Sequence, residues 1–551
     1  MDLTYFVDAT GFSKPVCPLP KGGMHWIESR LTLPDGHGIE RLLARVGMMP
    51  DLDHATEWDL MIFDDVKEEF EPIRRWDIHD PHQSAHPFQA RVDGTNYYYI
   101  FPDFRVPEDL ASVCDLSQYE AFSCLAGDGK WRGRESKMDR EETGRVRYTW
   151  RKGADRLYER RLDELVEAQK LQRDETWARL FDFETGALLS RKLECEAWNQ
   201  FRKRWIAFFT DKDKPGEVWF AEADTPLGPW GYGRRVVTHG DYNFYNVAHH
   251  PSFNQDGSRI VYFEGTYSDT FSGARTQTPR YDYNQIMYRL SLDDTRLVLP
   301  VAVYRVRGAN GLTHLWLRDQ VEAAGAWERV ERVAWFALPP HCREKGLVPV
   351  CANDQEPAVL STASARLDIA PVFAGLPLVE TESEVTLDGL WNCRAEVSDG
   401  GGPLNFPLQM PLQGTTVRVG ESWNAVTGIG RFDQGKLELT LTNANEPMTF
   451  TLEARVKGRT LEGEWRENNG LAQGTWSASR ADRTPPERRS PALAVLREYR
   501  RAGNGGYDYS IEVQPPPGCL PEGRPICRVW KVPGSVLTLD WKAQPVPGRR
   551  M

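Results

Sequence analysis

Residues 85–101 read AHPFQARVDGTNYYYIF, and residues 249–265 read HHPSFNQDGSRIVYFEG. Both set a His-Pro pair ahead of an Asp-Gly turn and an aromatic strand, so one unit recurs at two positions far apart in the chain. The sequence around them has the same texture. MHWIESRLTL (24–33), TEWDLMIFDD (56–65), RKRWIAFFT (202–210), GEVWFAEAD (216–224) and NQIMYRLSL (284–292) are short aromatic and β-branched runs, each followed by a turn residue. To about residue 300 the chain therefore reads as all-β. One stretch departs from this: from Ala154 to Gln172 the apolar positions Tyr158, Leu162, Leu165 and Val166 keep helical spacing among charged residues.

These strands recur in groups of about four per roughly 50–60 residues, the signature of a propeller whose blades are four-stranded sheets. A first region of residues 1–300 then holds five blades, with a helical insertion at about 132–175. The fold class expected is mostly β: a five-bladed β-propeller followed by small β modules, one of them an antiparallel β-barrel.

Composition narrows the function. With 551 residues the chain exceeds one core, and two to four domains are expected. Lys+Arg 68 against Asp+Glu 79 gives a net charge of -11, and no basic stripe offsets it, so nucleic acid is excluded as a partner. No apolar run reaches the roughly 18 residues of a spanning helix. The opening MDLTYFVDATGF has neither a positive nor an apolar signal region, so a secretory signal is expected to be absent or already removed. The nine cysteines include three close pairs, Cys114/Cys124, Cys342/Cys351 and Cys519/Cys527, bracketing loops that disulfides could close or that hold reduced thiols. Oxidation would imply an extracellular or periplasmic setting. Nineteen tryptophans suit sugar stacking as well as sandwich cores.

The two repeat segments, together with GEVWFAEADTPLGPW (216–230) and AWNQFRKRWIAFF (197–209), resemble blade segments of five-bladed-propeller glycoside hydrolases, the arabinanase and β-xylosidase clan, over about 300 residues. The resemblance implies a carbohydrate partner in a central funnel and a division of labour among carboxyls. One carboxyl is protonated to release the glycosidic oxygen, and another is ionised on the opposite face. Glu264, ending an apolar strand, is the general-acid candidate. Asp80, in RWDIHDPHQ, is the displaced partner carboxylate, and Asp282 orients a sugar hydroxyl. The chain departs from the clan at His86-Pro87 and His250-Pro251, where Asp-Pro is the pattern. Those histidines become substrate-binding candidates with Trp198, Asn199, Asn243 and Tyr245. Asn199 and Arg202, three apart on a strand, face opposite sides, and Asn199 is the one placed inward.

Three readings stay open. The first is a glycan-acting hydrolase, and the second a non-catalytic extracellular carbohydrate-binding or adhesion protein. The third is a metal-binding propeller in which His25, His86 and His250 hold a divalent metal ion, with Glu28 or Glu264 completing the shell.

Beyond residue 300, VYRVRGANGLTHLW (303–316) and WFALPPHCREKGLVPVC (335–351) resemble a small repeat module of secreted bacterial proteins, spanning 301–352. A shortened second copy is expected at 493–551, and linkers at 353–382 and 481–492. Residues 383–482 alternate cleanly as strands, and the ends DGLWNCRAE and GTWSASR resemble the bookends of lipocalin-like and avidin-like meanders, whose first and last strands pair.

Overall fold

The computed structural model describes residues 6–546 apart from short stretches, the longest being 18–23, 78–85, 270–282, 353–359, 362–370, 379–389, 398–403 and 481–491. The protein is mostly β. Four sheets follow one another along the chain. The first is the antiparallel meander Met24–Pro34, Glu40–Met49, Glu57–Asp64, Glu69–Trp76. The second runs Phe88–Val92, Thr95–Phe101, Phe104–Pro107, Glu120–Ser123, Thr149–Lys152. Arg191–Asn199, Arg204–Asp211, Lys214–Ala223 and Gly231–Thr238 make the third, edged by Leu180–Asp182 in parallel. The fourth holds Asn243–His249, Ile260–Ser268 and Tyr283–Ser291.

Successive sheets bury their faces against each other, which is the packing a propeller needs. Leu31, Leu43 and Trp58 of the first meet Tyr98, Phe104 and Val106 of the second. Phe88, Ala90 and Tyr99 of the second meet Trp205, Phe209 and Trp219 of the third. The opposite face of the third, Phe208 and Phe220, meets Phe244, Val261 and Phe263 of the fourth, with Phe208 and Phe263 stacked at 4.4 Å. The strand RWIAFFTD is therefore buried on both faces, which is why it reads as a continuous apolar run instead of an alternating one.

The fifth sheet comes from two distant parts of the chain. Its order is Thr313–Trp316, Val301–Gly308, Trp327–Ala337, Cys519–Trp530, Leu493–Arg501, Tyr507–Ser510. Tyr304, Val306 and Phe336 place it in the same core as the third and fourth sheets. The contact is close: Gly231, at φ +55, has Phe336 where a Cβ would sit, only 2.4 Å away. Five blades within residues 1–300 are thus not what the described residues contain. They hold four sheets there, and a fifth built from 301–337 and 493–530.

Residues 493–551, expected as a module of their own, instead complete sheets begun elsewhere. The physical reason is burial: Leu496, Cys527 and Val529 share one core with Val303, Trp335, Val350 and Phe373 of the earlier segment. The last strand, Gln544–Pro545, pairs with Phe88–Val92 of the second sheet. Cys519 and Cys527 lie on one continuous strand, eight residues apart, so no disulfide joins them. Cys114 and Cys124 belong to different cores and are likewise not bridged. The stretch between Cys342 and Cys351 includes residues outside the described set.

The helix of the insertion runs Glu159–Glu167, with Leu162 and Leu165 packed on Phe122, Cys124 and Trp177. Residues 390–480 form a nine-stranded antiparallel sheet curled around Trp391, Leu437, Leu439, Leu452 and Trp476. Its strands Leu390–Val397 and Gln473–Arg480 pair, as the bookend motifs imply. Gly474 permits that pairing, because a Cβ there would stand 1.6 Å from the Glu396 carbonyl.

Candidate functional site

The site candidates lie on three sheets, and Glu264, expected to end its strand, instead sits within one. In the first strand the register slips between Glu28 and Leu31, and Ser29 takes a left-handed backbone at φ 48, so the bulge re-aims Arg30. His86 stands just ahead of Phe88–Val92. His250 follows Asn243–His249, its N–H donating to the Tyr262 carbonyl at 2.9 Å. Glu264 sits in the middle of Ile260–Ser268, directly between Ala248 and Met287 in the ladder.

These parts meet. His250 Nε2 is 3.0 Å from Glu264 Oε1, and both side chains keep access to solvent. The charges of Arg30 and His250 both act on His86. His86 is held at about 4, first by burial and then by the Arg30 guanidinium and the His250 ring, so its imidazole is neutral in ordinary conditions. Phe253, 53% exposed, sets its ring 5.4 Å from that of His250. The arrangement offers an accessible carboxyl paired with an imidazole, a neutral imidazole that can donate and accept, a guanidinium and an open aromatic face.

The neighbouring histidine behaves differently. Strand alternation turns His249 inward, 4% exposed, where its ring lies 5.5 Å from that of Phe208 and Nε2 is 3.1 Å from Asn254 Oδ1. Burial holds it at about 4. An unfolded histidine titrates near 6.5, so below that value the unfolded chain takes up protons that folded His86 and His249 refuse. Their contribution is complete above about pH 6.5 and lost as pH falls towards 4. The thermal midpoint is therefore expected to drop between pH 7 and 4.5, and to drop less in His249→Gln. An equal drop in the variant would refute this assignment.

The other sequence candidates divide. Asp80 and Asp282 lie outside the described residues. His25, His86 and His250 do not come together as a group that could hold a metal ion: among the described residues no group of three or more His, Cys, Asp or Glu side chains could hold one, so the three-histidine metal centre is not formed. A cation at its expected position also opposes a metal ion. Glu28 has its carboxyl pushed up by burial, partly offset by Arg45.

Asn199 is fully buried and structural. Its Oδ1 accepts the Arg202 N–H at 2.8 Å, and its Nδ2 donates to the Ser258 carbonyl at 2.9 Å, tying the third sheet to the fourth. Trp198 packs edge-on to Trp205, with the Arg318 guanidinium over its ring. Asn243 is buried opposite Ser268, and Tyr242 and Phe244 pack on Tyr267, so this segment fills a core rather than lining a funnel. Tyr245 lies opposite Thr266, and its side chain is outside the described set. Sequence reasoning missed Arg30 and Phe253. Arg30 depends on a bulge without a sequence signal, whereas Phe253, a lone aromatic in the polar turn PSFNQDG, could have been flagged.

No family model matches the chain, and no curated protein matches it. Among solved structures, an endo-1,5-alpha-L-arabinanase from Thermotoga petrophila RKU-1 aligns over 82% of this chain and 83% of its own, at 8% identity and a TM-score of 0.25. The Penicillium chrysogenum alpha-L-arabinanase complexed with arabinobiose aligns over 82% and 92%, at 11% identity and a TM-score of 0.21. A xylan beta-1,4-xylosidase from Bacillus halodurans C-125 aligns over 84% and 86%, at 8% identity and a TM-score of 0.23.

Proposed function

We propose that this protein acts on a glycan at the site formed by Arg30, His86, His250 and Glu264, with Glu264 as proton donor to a glycosidic oxygen. The observation that carries the reading is the 3.0 Å contact between Glu264 and His250 beside a neutral His86. The two groups stand at ion-pair distance without being aligned as a hydrogen bond, and a turn of either side chain would let the imidazole return a proton to Glu264 after it has protonated the leaving oxygen. Neutral His86 and the Arg30 fork suit hydroxyl groups, and Phe253 offers a face for a sugar ring. In this reading Asp80 is the partner carboxylate and Asp282 the residue that orients a hydroxyl. Polymeric glycans are met outside the cytoplasm, and an extracellular or periplasmic setting belongs to the same proposal.

The test is release of reducing sugar from arabinan, xylan and galactan by the full chain and by Glu264→Gln. Loss of the proton donor is expected to lower the rate by about a hundredfold or more. A second reading, a carbohydrate-binding protein without hydrolysis, is favoured by imidazoles standing at both His-Pro positions. Binding of a polymer without release, unchanged in Glu264→Gln, would select it. Neither binding nor release on the whole panel would refute both.

A further inference from the structure

A cleft of about 620 Å³ opens on a different part of the molecule, between the 132–175 insertion, the fifth sheet and the C-terminal segment, and it shares no residue with the Glu264 site. Its volume falls within the range of small-molecule sites. Arg145, Arg332 and Lys531 line it against Asp174 and Glu512, three cations against two carboxylates, on a chain whose net charge is -11.

The cations are not consumed by internal pairing. Arg332 stands directly across the ladder from Arg305, and burial and that like charge outweigh the attraction of the nearby Asp508, Glu331 and Glu512 carboxylates. Arg305 is bound bidentately by Asp508 at 2.8 and 3.0 Å and also meets Glu331, whereas among the described residues no hydrogen bond or ion pair holds Arg332 or the Lys531 ammonium. Among the described residues the Arg145 side chain donates to the Ser535 carbonyl and meets no carboxylate.

The walls are fixed. The Lys531 N–H donates to the Ala492 carbonyl and its own carbonyl accepts from Tyr232 Oη, both at 2.7 Å. Arg179 donates to the Pro533 carbonyl at 2.7 Å, and the Ser535 N–H to the Asp174 carbonyl at 2.8 Å. Val333, Ile511 and Val532 add apolar surface. A preformed cleft with spare guanidinium and ammonium donors on separate walls selects a ligand with separated negative groups, and its fixed walls spare that ligand an ordering cost.

We propose that this cleft binds a small polyanion whose oxyanion groups are set apart along an otherwise polar or apolar body, such as an acidic oligosaccharide or a phosphorylated sugar. The test is calorimetric titration of the full chain with oligogalacturonate, a bisphosphorylated hexose and neutral galactan oligosaccharide. At least one anionic ligand is expected to bind, more weakly as salt rises, and the one that binds identifies the source. Arg332→Ala and Lys531→Ala should each weaken binding by about tenfold, the worth of one charge-assisted contact, without lowering the thermal midpoint, because both side chains reach solvent and Arg332 leaves behind a like-charge neighbour. Binding of neither anion, equal binding of the neutral oligosaccharide, or full affinity in both variants would overturn the assignment.

Discussion

Asp540→Ala is expected to lower stability by about 3–5 kcal/mol, the cost of removing one partner of a buried ion pair. Asp540 arrives on the C-terminal segment and enters the second sheet's interior. There its Oδ2 accepts from Arg105 Nη1 at 2.9 Å and from Tyr99 Oη at 2.7 Å. The Arg105 side chain is 7% exposed, stacked on Trp150 at 3.9 Å, and its one other carboxylate is Glu120 at 2.9 Å. Without Asp540 the guanidinium keeps Glu120 and the Tyr99 oxygen, which accepts from Arg105 Nη1 at 2.8 Å, but the Tyr99 O–H loses its acceptor and a buried charge loses one of its two counter-charges. The same residue also pins the segment, because its N–H donates to Thr225 Oγ1 and Gln544–Pro545 follows onto Phe88–Val92.

Two companion variants separate charge from tethering. Asp540→Asn keeps the shape and loses the charge, so it should cost less than alanine. Arg105→Met with Asp540→Leu removes both charges and should recover most of the loss, since apolar replacement of a buried pair is near neutral. Equilibrium urea unfolding reads all three. An alanine variant within about 1 kcal/mol of the parent, or a double variant worse than the single, would refute the account.

Which features the sequence disclosed follows from the range of the forces involved. Strand identity is local, and the runs at 24–33, 56–65, 93–101, 202–210 and 284–292 appear as strands within a residue or two of their expected ends. Pairing over long separations is not local. GCLPEGRPIC carries two prolines and two glycines and reads as a loop, yet it is an extended strand because the fifth sheet covers it. The alternation rule separated Asn199 from Arg202 but could not tell a funnel from a neighbouring sheet's carbonyl, and Asn199 is spent on the Ser258 carbonyl. The repeat put His86 and His250 at equivalent positions ahead of or after strands of two sheets, and the charge of one acts on the other. Arg30 was not legible, because a single left-handed residue decides its direction.

The segment AEADTPLGPW shows how a motif acquires a physical meaning, and it yields the second large effect. Thr225 and Gly228 close a turn through paired backbone hydrogen bonds, and Trp230 is buried beyond it. The turn presents Asp224, 1% exposed, to the fifth sheet. Its Oδ1 meets Arg204 Nη1 at 2.6 Å, its Oδ2 accepts from Tyr304 Oη, and its carbonyl accepts from Arg318. Among the described residues the other carboxylate within ion-pair distance of Arg204 is Glu222, at 3.6 Å, which Arg202 also contacts at 3.1 Å. Asp224→Ala therefore strands a guanidinium and a fully buried tyrosine hydroxyl between two sheets, and a loss of about 4 kcal/mol is expected. Tyr304→Phe removes one hydrogen bond and leaves the Asp224–Arg204 pair, so about 1–2 kcal/mol is expected. The order of the two is the decisive reading in urea unfolding. If Tyr304→Phe costs as much as Asp224→Ala, the aspartate is not the hub, and the two sheets are held by their apolar core alone.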